Sequence, residues 1–170
     1  MQLVAASLDP PPGLEAFLIE VDRGETGFGG TDFAAGQETL DEFLRRSVAR
    51  SLGEQLEPGW VPFTTFWLLD DDGAIVGISR LRHELNDELL YHGGHIGYYV
   101  RRPARGKGYG TSILTLTLAE GRERGIERFL LTVDSENVPS IRVIEANGGV
   151  LEDERIDRDT GRLFRRYWIG

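Results

Sequence analysis

The sequence predicts one mixed α/β domain, and three features predict it. A strand signal at residues 95–101 runs directly into a glycine turn at 105–110 and then into helical spacing over 111–124. An apolar run without polar alternation, residues 128–134, has the pattern of a strand buried on both faces and therefore central. Two strand pairs flank this centre, residues 63–69 with 74–81 and residues 150–156 with 163–169, each joined by a turn containing Asp and Gly. The expected architecture is a twisted, mostly antiparallel sheet with helices on both faces.

Taken in order, residues 2–6 form a short apolar strand stopped by Pro10, Pro11 and Pro12. A helix follows at 14–21. The stretch 23–36 holds five glycines and reads as a loop, after which Leu40, Phe43, Leu44, Val48 and Leu52 mark a helix over 38–55, ended by Pro58 and Gly59. Asp70, Asp71, Asp72 and Gly73 turn the first hairpin, and a polar connection with Arg82, His83, Glu84 and Asn86 leads to the next strand. In the helix at 111–124, Ile113 and Leu116 repeat with Leu114 and Leu118, and Gly125 stops it. Asn137 caps a helix starting near Pro139, and Asn147, Gly148 and Gly149 close it. Asp159, Thr160 and Gly161 turn the last hairpin. No internal repeat or long linker divides the chain, so residues 1–170 are read as one domain.

Composition narrows the function. With 170 residues and no cysteine, the chain needs no staples, and disulfides, thiolate zinc sites and cysteine nucleophiles are excluded. The 28 acidic against 19 basic residues give a formal charge of −9, which repels a phosphate backbone and argues against nucleic acid as a partner. The first thirteen residues lack the basic segment and apolar core of a signal peptide, and no 18-residue apolar run follows. A cytoplasmic location without membrane partners is expected.

Against that acidic background, Arg101, Arg102, Arg105 and Lys107 cluster within seven residues. Gly106, Gly108 and Gly110 let the backbone turn tightly and bring N–H groups close to an anion, and the helix beginning there adds its positive dipole end. Two phosphate loops fail on spacing. The dinucleotide fingerprint needs G-x-G-x-x-G, and the P-loop needs Ser or Thr after Gly-Lys, where this chain has Gly108. The motif that fits is R-x-x-G-x-G across Arg105 to Gly110, entering a helix from a strand. Here the chain resembles the GNAT N-acetyltransferases, which move an acetyl group from acetyl-CoA to an amine. The likeness runs from His95 to Trp168. It includes the preceding strand HIGYYVR, the segment Asn137-Val138-Pro139-Ser140 and the helix ending Asn147-Gly148-Gly149. The LRHELN, GGHIGY and RRYWI segments are most similar to a little-characterised bacterial branch.

The resemblance implies a GNAT-like fold with a splayed parallel pair of strands at the centre of the sheet, and acetyl-CoA as co-substrate without a metal. Arg105, Gly106, Lys107, Gly108, Tyr109, Gly110 and Thr111 would bind the pyrophosphate. Tyr99, Val100 and Arg101 would pair with the pantetheine arm as a strand does, and Asn137 with Ser140 would meet the same arm. Arg101 and Arg102 would reach the ribose phosphate or pair with carboxylates. Backbone N–H groups at a bulge around Tyr98 to Val100 would stabilise the carbonyl oxygen.

For a general base the candidates are His95, then His83 and Glu84 on the preceding connection; His92 is set aside as a loop tip. Many relatives place a proton-donating tyrosine where this chain has Ile144, which leaves Tyr98, Tyr99 or Tyr109, Ser140 relaying through water, or departure of the thiolate without a dedicated acid, since a thiol pKa is already modest. Phe28, Phe33 and Trp60 would line the acceptor pocket, and Asp87, Glu88 and Asp134 would attract a cationic amine. The expected activity is N-acetylation of a primary amine on a small molecule or peptide, within a possible homodimer; an inactive acetyl-CoA-binding sensor is the alternative. Use of a hydroxyl acceptor or a longer acyl-CoA is a further variant that the acceptor pocket decides.

Overall fold

The computed structural model describes residues 1–22, 25 and 28–170. The chain runs β1 (Gln2–Ala5), α1 (Leu14–Val21), α2 (Leu40–Ser51), β2 (Phe63–Leu69), β3 (Ile75–Arg82), α3 (Asp87–Tyr91) and β4 (Ile96–Val100). A short 3₁₀ turn, Arg102–Ala104, leads into α4 (Tyr109–Glu123), β5 (Phe129–Asp134), α5 (Val138–Ala146), β6 (Val150–Ile156) and β7 (Leu163–Ile169). All strands and helices expected from the sequence are present. The loop expected at 23–36 falls partly on residues 23, 24, 26 and 27, outside the described residues.

Local chemistry sets the helix ends. Thr39 and Glu42 form a reciprocal capping box, so α2 starts at Leu40. It stops at Ser51, short of the expected 55, because Gly53 and Gln55 take positive φ. Helix α3 was not anticipated. Asn86 caps it by accepting from Leu89 N–H, and Asp87 and Glu88 stand in its first turn. Only five residues long, it offers no hydrophobic period to read.

The strands form two antiparallel sheets, ordered β1-β2-β3-β4 and β5-β7-β6. Their shared core joins Phe66, Leu81 and Ile96 of the first sheet to Phe129, Leu131 and Tyr167 of the second, with Leu114 and Leu118 of α4 between them. Leu14, Phe17 and Leu18 of α1, and Phe43 and Leu44 of α2, pack with Trp67 on the opposite face. Helices therefore cover both faces, as expected for a mixed α/β domain.

Strands β4 and β5 are the splayed central pair. Among the described residues their backbones are hydrogen-bonded at one end, where His95 N–H donates to Leu130 C=O at 2.7 Å and a single bridge links Gly94 to Leu131. That lone bridge has antiparallel geometry, and among the described residues no parallel ladder follows it. Gly94 has φ +64°, and a Cβ there would overlap the Leu130 carbonyl, so only glycine lets the two backbones meet. Gly94→Ala should destabilise the fold by roughly 2–4 kcal/mol through combined strain and overlap. Urea unfolding should show this as a lower midpoint at unchanged slope.

Candidate active site

The glycine loop takes its shape from φ +74° at Gly106 and +86° at Gly108. Ser112 N–H is the first to close the α4 ladder, on Gly108 C=O at 3.1 Å, so the N–H groups before it remain available to an anion. The space beside Gly106 and Gly108 is open, with no atom within 4 Å of where a Cβ would stand. Gly110 instead packs its backbone against Val143 of α5. Asn147 locks the same two helices, donating to Thr111 C=O at 3.4 Å and Val143 C=O at 2.9 Å.

The basic cluster divides by role. Arg101 pairs with Glu20, and Arg102 and Arg105 both pair with Glu25. Of the two readings left open for Arg101 and Arg102, carboxylate pairing is the arrangement present. Arg105 also donates to Val100 C=O at 2.9 Å and lies over the Tyr99 ring, so its side chain fastens the loop to β4. The two arginines hold the Glu25 carboxyl down at about 2. Lys107 is exposed and makes no ion pair among the described residues.

Beyond the junction, β4 and β5 enclose a cleft of about 330 Å³, walled by Ile96, Gly97 and Tyr98 on one side and Leu131 to Asp134 on the other. The register with β3 runs without a shift from Ile96 to Val100, so β4 has no bulge; that expectation is corrected. Arg101 N–H bonds Val76 C=O, and antiparallel alternation then turns the N–H groups of Tyr98 and Val100 toward the gap. The Tyr98 hydroxyl is buried without a protein hydrogen bond. Burial pushes it up to about 12, and nearby Ser140 pulls weakly the other way. Asn137 caps α5 by accepting from Ser140 N–H at 3.2 Å, and both residues line the cleft beside buried Ile144.

The base candidates from the sequence lie elsewhere. His95 is 8% exposed, its Nδ1 accepts from Leu130 N–H at 2.9 Å, and its ring stands edge-on to Phe129. Burial, with Arg82 nearby, brings it down to about 4, so it is neutral at physiological pH and already occupied as an acceptor. His83 bonds Thr64 at 2.9 Å and lies near Arg124, at the far end of α4 from the glycine loop. Neither His83 nor Glu84 lines the cleft. The depressed folded value of His95 makes stability present above about pH 6.5 and lost as pH falls toward 4. His95→Phe should flatten that acid slope and, by orphaning Leu130 N–H, lower stability at neutral pH by about 1–3 kcal/mol. Urea midpoints measured from pH 4 to 8 check both effects.

A histidine–aspartate pair stands where the sequence offers only a loop tip. His92 follows α3, its Nδ1 lies 3.0 Å from Asp157 Oδ2, and its ring stacks on Phe164 at 4.3 Å. Asp157 also accepts from the N–H groups of Thr160 at 2.7 Å and Asp159 at 2.9 Å, which keep its carboxyl below the usual range. With Nδ1 held by an ionised carboxylate, Nε2 is the nitrogen left to accept a proton. His92 lines both the β4–β5 cleft and a second cavity of about 330 Å³ that continues from it. No spacing rule links residues 92 and 157. The one local signal was a histidine placed directly before Gly93 and Gly94.

The second cavity is walled by Gly29, Trp60, Phe63, Arg80, Arg82 and Glu88, among others. Phe28 lines the first cleft, whereas Phe33 packs edge-on against Phe43 in the core. Asp134 faces the cleft but is paired with Arg162 at 3.2 Å.

Helix α4 begins with N–H groups left open, and the β4–β5 cleft is lined by an aspartate-oriented histidine. Residues 37–148 match the model of the acetyltransferase (GNAT) family, and the chain belongs to that family. It is an acetyl-CoA-dependent N-acetyltransferase. Among solved structures it is similar to a variant of the spermidine N-acetyltransferase SpeG from Vibrio cholerae (TM-score 0.66, 17% identity, 99% of this chain and 94% of that one). It is also similar to yncA from Salmonella typhimurium, solved with its cofactor acetyl-CoA (0.65, 16%, 99% and 92%). A third is a GNAT acetyltransferase from Streptococcus pneumoniae (0.65, 17%, 99% and 97%). At these identities the likeness is one of fold. No curated protein matches the sequence. Among the described residues, no helix is long and apolar enough to cross a membrane.

Proposed function

We propose that this enzyme transfers the acetyl group of acetyl-CoA to a primary amine of a small molecule or peptide, with His92 as general base and Tyr98 as hydrogen-bond donor to the thioester. The observation that carries the reading is the His92–Asp157 pair opening onto the same cleft as the buried, unpartnered Tyr98 hydroxyl. The chain fits the co-substrate. The positive-φ glycines leave room for a pyrophosphate, and one edge of β4 lies unladdered along the gap. Gly106 to Thr111 hold the phosphates with Lys107 adding charge, the backbone of Tyr98 and Val100 carries the pantetheine strand contact while that of Tyr99 and Arg101 is spent on β3, and Asn137 with Ser140 faces it from α5. Acetyl-CoA, when bound, supplies the activated acetyl thioester.

His92 Nε2 takes the proton that the attacking amine must lose, while Asp157 holds the ring and steadies the imidazolium. Tyr98 is suited to donate a hydrogen bond but not to give its proton away. Its hydroxyl is held at about 12, whereas a free thiol titrates near ~8.5. The thiolate therefore leaves without a dedicated acid, and the donor hydroxyl with the inward N–H groups of β4 stabilises charge during transfer. His95 positions the base from behind by fixing the strand junction that follows it.

His92→Gln should lower kcat by about 10²–10⁴-fold in an assay of amine-dependent CoA thiol release, with acetyl-CoA affinity unchanged by calorimetry. A His92→Gln enzyme running at the full rate would remove the histidine from the mechanism. Gly108→Arg should abolish acetyl-CoA binding while the fold survives, since the new side chain points into open space and the φ strain costs about 1–2 kcal/mol.

A further inference from the structure

The wall of the acceptor cavity holds two arginines, Arg80 and Arg82, together with the carboxylates of Asp32 and Glu88, and only one of the two arginines is ion-paired among the described residues. Arg80 and Arg82 lie two residues apart on β3 and both line the cleft and the cavity that continues from it. Arg80 has a counter-ion, donating to Asp32 at 2.9 Å between the rings of Phe28 and Phe63. Asp32 is already shared with Arg50, 3.7 Å away, so one carboxylate serves two guanidiniums.

Arg82 has no counter-ion among the described residues. Its Nη1 donates to the Gly94 carbonyl at 2.9 Å and the Gly93 carbonyl at 3.4 Å, and among the described residues Nε and Nη2 donate to no acceptor. Burial and the neighbouring Arg80 draw its pKa down to about 10, so it remains a cation at neutral pH. In a chain of net charge −9, an unpaired guanidinium facing a cavity is the reverse of chance. A planar fork with two free nitrogens matches the two oxygens of a carboxylate. The carbonyls that hold Arg82 belong to the two residues immediately after His92, so the anion site and the proposed base are neighbours.

From this juxtaposition we propose that the acceptor is an amine that also bears a carboxylate, in the manner of a free amino acid, with Arg82 binding the carboxylate and His92 receiving the amine. The proposal rests on the acetyltransfer reading above and narrows its substrate class. Asp87 and Asp134 then have no primary role in capturing a cation, whereas Glu88 stands in the cavity wall. Asp87 is exposed in the first turn of α3, and Asp134 is tied to Arg162.

The test compares amino acids with their carboxamides and with polyamines, reading thiol release with acetyl-CoA and, separately, equilibrium binding in the presence of CoA. The expected result is a preference of about 10- to 100-fold for at least one free amino acid over its amide in both readouts. In Arg82→Gln that preference should collapse toward unity through KM for the acid, and Arg82→Lys should restore part of it. A circular-dichroism melt of each variant separates loss of the site from loss of the fold. Amides or polyamines that bind and react as well as amino acids would overturn the proposal while leaving the acetyltransferase reading intact. Amino acids that bind selectively but release no thiol would uphold the anion site and overturn the catalytic roles. Binding of neither class would overturn the site.

Discussion

The junction between β4 and β5 is the constraint on which the site depends. At Gly94 and His95 two backbones meet across paired hydrogen bonds, His95 N–H to Leu130 C=O and Leu130 N–H to His95 Nδ1. Side chain and main chain of one residue thus satisfy both polar groups of the other, inside a shell of Ile96, Phe129 and Leu131. Because the strands are pinned here and nowhere further along, they part, and the parting creates the cleft. A continuous ladder would have consumed the edge of β4 and closed the space.

Charge placement follows from the same geometry. Three of the four basic residues around the glycine loop are spent on Glu20 and Glu25, where they tie the loop and β4 to the end of α1 and the segment beyond it. Anion affinity at the loop therefore rests on main-chain N–H groups, the start of α4 and Lys107, which need no rearrangement to act. One arginine without such a partner among the described residues, Arg82, stands on β3 and lines the cleft. The two proposed anion sites would act by different chemistry: a preorganised backbone cradle at the glycine loop and a guanidinium fork at Arg82.

Much of the fold was legible because its signals are local. The hairpin turns, the apolar run of β5 and the strand–glycine–helix passage each carry their own periodicity or punctuation. The glycine loop was legible for the same reason, as R-x-x-G-x-G is contiguous. What escaped was non-local. His92 looked like a loop tip because its partner, Asp157, opens a turn in another hairpin, and His95 looked free because nothing in the sequence shows that Leu130 N–H claims its ring. Helix α3 escaped because five residues reveal a cap but no period. Arg82 read as one charge in a polar connection; its isolation from carboxylates exists only after β3 is laid beside the cavity.

The central claim is that the unladdered edge of β4 and the glycine loop form one continuous surface for acetyl-CoA. Amide hydrogen exchange with and without saturating acetyl-CoA tests it most directly, since it reports on the backbone groups themselves. The account predicts slowed exchange at Tyr98, Val100 and Gly106 to Thr111 together, with β6 and β7 little changed. Protection confined to other elements, or none along β4, would contradict it.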